Sequence, residues 1–226
     1  TNNQQPTTNN QQPTTNNHRL FDSDPSPALG SEACVSGIQA FMRIVLLGAP
    51  GSGKGTQAAL LKARLNIAHI STGELLRAAV AAGTPLGLQA KAVMEKGNLV
   101  SDDVVLGMLE ERLGLPDVAS GFILDGYPRN EAQALALDGL LKRMQLPLDL
   151  VVQLDVPEAS LLARLAGRAK AEGRADDSPE AVANRLHVYQ QQTAPVLEYY
   201  TRAGRLHRVA GEGSVDDILG RILALT

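Results

Sequence analysis

A chain of 226 residues, 44% hydrophobic and 20% charged, has the size and composition of one medium-sized globular domain, with or without small inserted lobes. A net charge of -3 and a pI near 5.8 exclude a broad nucleic-acid-binding face as its main business, so any basic site must be local. The single cysteine, Cys34, excludes an intramolecular disulfide and a multi-cysteine zinc cluster, and with no apolar run near the roughly 18 residues of a membrane span the chain reads as cytoplasmic, without nucleic-acid or membrane partners.

In chain order, residues 1–17 read TNNQQPTTNNQQPTTNN, a polar seven-residue repeat with no charge and no aliphatic side chain. Such a segment cannot bury enough apolar surface to offset its chain entropy, and residues 18–41 add only isolated apolar positions. Residues 1–41 are expected to be a disordered tail, a linker or a non-native extension, and residues 42–226 the folded domain. The tail sets Arg19 against Asp22, Asp24 and Glu32, so the remainder is closer to charge balance.

From Met42 onward short apolar runs alternate with helical patterns. Strands are expected at Arg43–Leu47, Ile67–Ile70, Gly121–Leu124, Leu150–Leu154 and Leu206–Val209. Helices are expected at Gly53–Leu65, Thr72–Ala82, Asp102–Leu113, Asn130–Met144, Pro157–Arg168, Pro179–Ala203 and Val215–Leu225. Near-continuous apolar strands separated by helices predict an α/β fold, a doubly wound parallel sheet of about five strands buried on both faces. Ser178-Pro179-Glu180 and Ser214-Val215-Asp216-Asp217 read as capped helix starts.

The first strand runs into GAPGSGKGT, Gly48 to Thr56, and then a helix. Amides of a glycine-rich turn converge with a helix N-terminus on phosphate oxygens, and Lys54 adds a mobile positive charge. GxxxxGK after a strand is a strong signal for a nucleotide phosphate site, the P-loop. The usual Ser or Thr after the lysine is displaced by Gly55 to Thr56. Phosphate binding alone does not separate ATPases, GTPases and kinases, and a bare strand-to-helix turn remains the plain alternative.

Other charges stand where they could serve polyanions. Arg129 ends DGYPR just beyond a strand; Arg164 and Arg168 share a helical face; Arg174 and Arg185 flank Asp176 and Asp177. Read alone, each arginine could equally be a surface ion-pair partner. Asp125, at the carboxyl end of the Phe122-Ile123-Leu124 run, is costly to bury without a cation; magnesium through water is one reading and a helix cap the other. His69, His187 and His207 show no metal-binding spacing.

Taken together, GAPGSGKGT, HISTGELLR, EKGNLVSDD, GFILDGYPRN, VPEASLLARLAGR, GRADDSPEAVANRL and GEGSVDDI resemble adenylate kinase, a nucleoside monophosphate kinase family, in order from Met42 to the C-terminus. The GKGT variant is itself part of the resemblance. It implies magnesium-dependent transfer of the terminal phosphoryl group of ATP to AMP, giving two ADP, by a monomer without zinc. The implied ATP site comprises Gly51, Ser52, Gly53, Lys54, Gly55, Thr56, Arg164, Arg168 and Gly213. The implied AMP site comprises Thr72, Arg77, Asn98, Leu99, Val100, Gly126, Tyr127, Pro128, Arg129, Gln133, Arg174 and Arg185. Lys54, Arg129, Arg168, Arg174 and Arg185 would act in catalysis, with Asp125 touching the metal through water. Residues 71–100 would be a mobile AMP-binding lobe and 169–175 a short lid. Thr72 favours AMP, because the similar pyrimidine nucleotide kinases usually carry alanine there. A UMP/CMP-type kinase and a non-catalytic nucleotide-binding protein remain the other readings.

Overall fold

The chain is described from a computed structural model at residues 1, 41–172 and 175–226, so the tail expected over residues 1–41 lies, but for its two ends, outside the described residues. The elements are β1 (Met42–Leu47), α1 (Lys54–Leu65), β2 (Ala68–Ser71), α2 (Thr72–Ala81), α3 (Pro85–Glu95), α4 (Asp102–Leu113) and β3 (Gly121–Asp125). They continue with α5 (Glu131–Arg143), β4 (Leu150–Asp155), α6 (Glu158–Glu172), α7 (Pro179–Val188), α8 (Ala194–Arg202), β5 (Leu206–Ala210) and α9 (Val215–Leu223). Short 3-10 turns lie at Pro116–Ser120 and Ala175–Asp177, and a π turn at Tyr189–Thr193.

Among the described residues the strands form one parallel sheet in the order β2-β3-β1-β4-β5. Alternation along β1 builds two cores. Val45 and Leu47 pack with Leu76, Leu109, Leu137 and Tyr200 on one face. Ile44 and Leu46 pack with Ala58, Leu61, Ile218 and Ile222 on the other. Side chains of a strand point to opposite faces in turn, so a strand covered on both sides must be apolar throughout.

The winding positions the site. From β1 the chain passes through α1 to β2 at one edge; from β3, beside β1, it passes through α5 to β4 on the other side. Connections leaving neighbouring strands in opposite directions open a crevice at their carboxyl ends. Leu46 pairs with Asp125 in register, so the end of β3 stands beside the glycine-rich turn that follows β1.

Three elements differ from the sequence expectation. Helix α3 lies between the helices expected at Thr72–Ala82 and Asp102–Leu113, in a stretch with no expected element. Pro85 occupies the first turn, and Gly87 N donates to the capping Thr84 hydroxyl at 3.0 Å. Gly87 also lets α3 lie on α2, because a Cβ there would collide with the Ala79 carbonyl. Next, α6 does not stop at Arg168. Ala169, Lys170, Ala171 and Glu172 are good helix formers and extend it into the expected lid, whose residues 173 and 174, including Arg174, lie outside the described residues. Finally, the single helix expected over Pro179–Ala203 is α7, the π turn and α8. Pro195 has no N–H and its ring crowds the preceding turn, so the wider π turn ahead of it accommodates the break.

Candidate active site

The glycine-rich turn and the start of α1 form an anion cradle. Gly53, at φ 94°, precedes Lys54 in the left-handed conformation, and α1 has neither a side-chain cap nor an acid in its first turn. Its first amides are therefore open to a negative ligand. Lys54 Nζ folds back over the turn, donating to the carbonyls of Gly48 (2.8 Å) and Ala49 (3.0 Å). Burial pulls the Lys54 ammonium down to about 8; Asp125 opposes this, while Arg129, Arg185 and Arg168 add to it.

Asp125 ends β3 beside this cradle, close enough that a Cβ on Gly55 would touch its Oδ2. Burial pushes its carboxyl up, but His69, Lys54 and Arg129 outweigh that and leave it below the usual carboxylate value. His69 Nε2 stands 3.8 Å from Asp125 Oδ2, too long for a hydrogen bond. Among the described residues no group of three or more His, Cys, Asp or Glu side chains could hold a metal ion.

The arginines converge on the same space. Arg168 grips Asp177 with two bonds, Nε to Oδ2 at 2.8 Å and Nη2 to Oδ1 at 2.5 Å. Arg185 Nη1 reaches Asp177 Oδ1 at 2.8 Å and Asp176 Oδ2 at 3.1 Å. Arg164 braces the cradle instead, donating to the carbonyls of Ser52 (3.3 Å) and Gly211 (2.8 Å). Arg129 is anchored by Nε on the Gly126 carbonyl at 2.7 Å, and the Thr193 hydroxyl of the π turn donates to the Arg129 carbonyl at 2.7 Å. Burial, then the neighbouring Arg185, pull Arg129 below the ordinary arginine value. Gly126, at φ 84°, receives the Thr72 hydroxyl on its carbonyl at 3.0 Å; a Cβ would crowd both Thr72 and Arg129.

Lys54, the four arginines just described and Asp125 line one cleft of about 860 Å³, within the size range of small-molecule sites. Its walls carry Lys54, Arg77, Arg129, Arg164, Arg168 and Arg185 against Glu74 and Asp125, a strongly positive interior in a chain of net negative charge. Gly51, Ser52, Gly53, Gly55, Thr56 and Gly213 lie along it, as does Pro128. An adjoining cavity is lined by Thr72, Asn98, Leu99, Val100 and Gln133, and shares Arg77, Gly126, Arg129 and Arg185 with the cleft. Tyr127 lines neither. Its ring is buried in the core, where large apolar area is worth more than contact with a ligand.

Several side chains at the site carried no sequence signal strong enough to assign them. Asp176 and Asp177 look like a solvated acidic pair until the fold shows them holding Arg168 and Arg185. Thr193 is one hydroxyl in a polar run, and only the π turn brings it to Arg129. Asp102 and Asn130 start different helices, yet Asn130 Nδ2 donates to both Asp102 oxygens at 3.1 Å. Gln133 belongs to the same network: Nε2 donates to Asp102 Oδ1 at 2.7 Å, and Oε1 accepts from Arg129 N at 2.7 Å.

A family model described as Adenylate kinase matches residues 46–205. The adenylate kinase of Stenotrophomonas maltophilia (strain K279a) is 67% identical over 183 residues, 81% of this chain and 98% of that protein. The adenylate kinases of Xanthomonas campestris pv. campestris (strain 8004) and Xanthomonas axonopodis pv. citri (strain 306) are each 66% identical over 181 residues, 80% of this chain and 97% of theirs. With a parallel sheet, a phosphate cradle at its switch point and this extent of likeness, the chain belongs to the adenylate kinase family and is a phosphoryl-transfer enzyme.

Proposed function

We propose that the cleft binds ATP and AMP end to end and that the residues around it transfer the γ-phosphoryl group of ATP to AMP. The observation that carries this reading is the convergence of Lys54, Arg129, Arg168 and Arg185 on one cleft between the cradle and the adjoining cavity. Two polyanions repel each other, and fixed cations in a partly dry site offset that repulsion best where charge builds up in transfer.

In this reading the turn amides, Lys54 and Thr56 hold the ATP phosphates, with Arg164 fixing the cradle and Gly213 lying under the ATP base. Arg77 and Arg129 hold the AMP phosphate, while Thr72, Asn98, Leu99, Val100 and Gln133 surround its base. An AMP phosphate oxygen attacks the γ-phosphorus in line; the new P–O bond forms as the bond to the bridging oxygen of ATP breaks, and two ADP result. No protein nucleophile is required. Arg168 and Arg185 steady the transferred group; Arg174 shares that role by resemblance. Closure of the 71–100 lobe and the lid would keep water from competing as acceptor.

A lone carboxylate held below its usual value at the cradle fits magnesium bound mainly by nucleotide oxygens and water, with Asp125 touching that shell. Such an ion would neutralise charge on the β- and γ-phosphates. A monomer is what the resemblance implies, and the single cysteine suits a reducing cytoplasm.

The test is ADP formation from ATP and AMP with magnesium, with CMP and UMP as rival acceptors. AMP should be phosphorylated fastest, and Lys54→Met or Arg129→Ala should lower kcat by about 10²-fold or more. Faster reaction with CMP or UMP would replace AMP as the acceptor, and unchanged rates in either variant would remove that residue from the machinery.

A further inference from the structure

The hydrogen bonds around Gln133 leave its amide one orientation. Oxygen and nitrogen of a glutamine amide can exchange places at little cost unless partners distinguish them. Both partners here do. The Asp102 carboxylate only accepts, and takes Nε2 at 2.7 Å. The Arg129 backbone N–H only donates, and gives to Oε1 at 2.7 Å. Asp102 is itself fixed by Asn130, whose Nδ2 reaches both carboxylate oxygens at 3.1 Å while its Oδ1 accepts from Gln133 N at 2.8 Å. Asn130 therefore has a determined orientation too. Gln133 is buried and lines the cavity that holds Leu99 and Val100.

We propose that Asp102 is a positioning residue that sets acceptor-base specificity by locking the Gln133 amide against reversal, so that the site takes a 6-aminopurine nucleotide and rejects a 6-oxopurine one. This rests on the reading above in which Gln133 faces the AMP base. After the two bonds described, Gln133 keeps one N–H and one oxygen lone pair. Those match the adenine edge, where N1 accepts and the 6-amino group donates. Hypoxanthine inverts both: N1–H donates and O6 accepts. A free glutamine would turn over to suit either base. Reversal in this protein would set Oε1 against a carboxylate and Nε2 against a backbone N–H, leaving buried groups in repulsive pairs. Discrimination thus comes from what Gln133 is prevented from doing, and of its two restraints the charged one, Asp102, stands on a different helix from the glutamine.

The test compares AMP with IMP, which differ only at this edge, in wild type, Asp102→Asn and Gln133→Leu. An asparagine at 102 keeps the shape but can offer either a donor or an acceptor. The kcat/KM ratio of AMP to IMP is expected to fall roughly tenfold in Asp102→Asn, with the KM for ATP unchanged, tenfold being the effect of one charge-assisted bond. Where IMP turnover is below detection, its inhibition constant against AMP gives the same comparison. Loss of activity shared equally between AMP and IMP would reduce Asp102 to a structural role and overturn the proposal. A ratio altered by Gln133→Leu but not by Asp102→Asn would overturn it while leaving Gln133 as the base reader. A ratio unmoved by either variant would remove Gln133 from the base site, and the proposal with it.

Discussion

Arg168 and Arg185 are held by the same carboxylate: Asp177, whose side chain is fully buried, accepts two bonds from Arg168 and a third, at 2.8 Å, from Arg185 Nη1. A buried acid shared by two cations fixes the distance between them, so neither guanidinium pays for its orientation when a phosphoryl group arrives. Removing one partner of such an arrangement leaves uncompensated buried charge. Asp177→Asn is expected to lower kcat tenfold or more, with smaller changes in KM, and to destabilise the fold by about 1–3 kcal/mol in urea unfolding. A kcat within twofold of wild type would mean that the two arginines are positioned without this acid.

Lys54 carries a pH dependence whose two consequences run in opposite directions. Its ammonium is pulled from 10.5 to about 8, first by burial. Free enzyme should therefore lose the cradle charge as pH rises through 8, and kcat/KM for ATP should fall above that pH. Between about 8 and 10.5 the unfolded chain holds a proton there that the folded one has released, so this group's contribution to stability rises with pH across that window. Lys54→Met should accordingly be stabilised relative to wild type below pH 8, with the advantage fading toward 10.5. A kcat/KM for ATP that stays flat to pH 10 would contradict the depressed value.

Tyr127 sits inside the DGYPR motif, next to Gly126 and Pro128, yet it is 1% exposed and its hydroxyl finds no hydrogen-bond partner among the described residues. Burial, then the Asp102 charge, push its ionisation far above the ordinary tyrosine value. A buried hydroxyl without a partner costs desolvation and returns nothing, so Tyr127→Phe should be neutral or stabilising by about 1 kcal/mol. The KM for AMP should not change. A several-fold rise in that KM would show that the hydroxyl reaches the nucleotide after all.

Legibility in the sequence tracked how local each signal is. GAPGSGKGT announces itself because its chemistry, strand, turn and helix start lie within one short window, and β1, β3 and β4 are legible because burial on both faces makes them apolar throughout. The arginine partners are not local. Nothing in Asp176-Asp177 says which cations they hold until α6 and α7 are folded beside each other, and Gln133 gives no hint that Asp102, on another helix, fixes its amide. Helix α3 is absent from the expected elements for a different reason: Pro85 is a first-turn residue and Gly87 a contact with α2, and only tertiary packing shows a glycine and a proline in those roles.

That contact also ties the acceptor lobe to its own stability. A side chain at Gly87 would strike the Ala79 carbonyl on α2, backbone that cannot step aside as the tip of a flexible side chain would. Accommodating even one methyl group must push α3 away from α2, and overpacking of this kind costs about 1–3 kcal/mol. Helix α2 carries Arg77 and begins at Thr72, while Leu99 and Val100 follow α3, so the displacement falls between two walls of the adjoining cavity. Gly87→Ala should lower the thermal midpoint by several degrees and raise the KM for AMP more than the KM for ATP, because the cradle belongs to β1 and α1. Equal changes in both constants would mean that the two helices do not act as a separate unit around the acceptor, and an unchanged midpoint would mean that the helix pair is looser than its backbone contact implies.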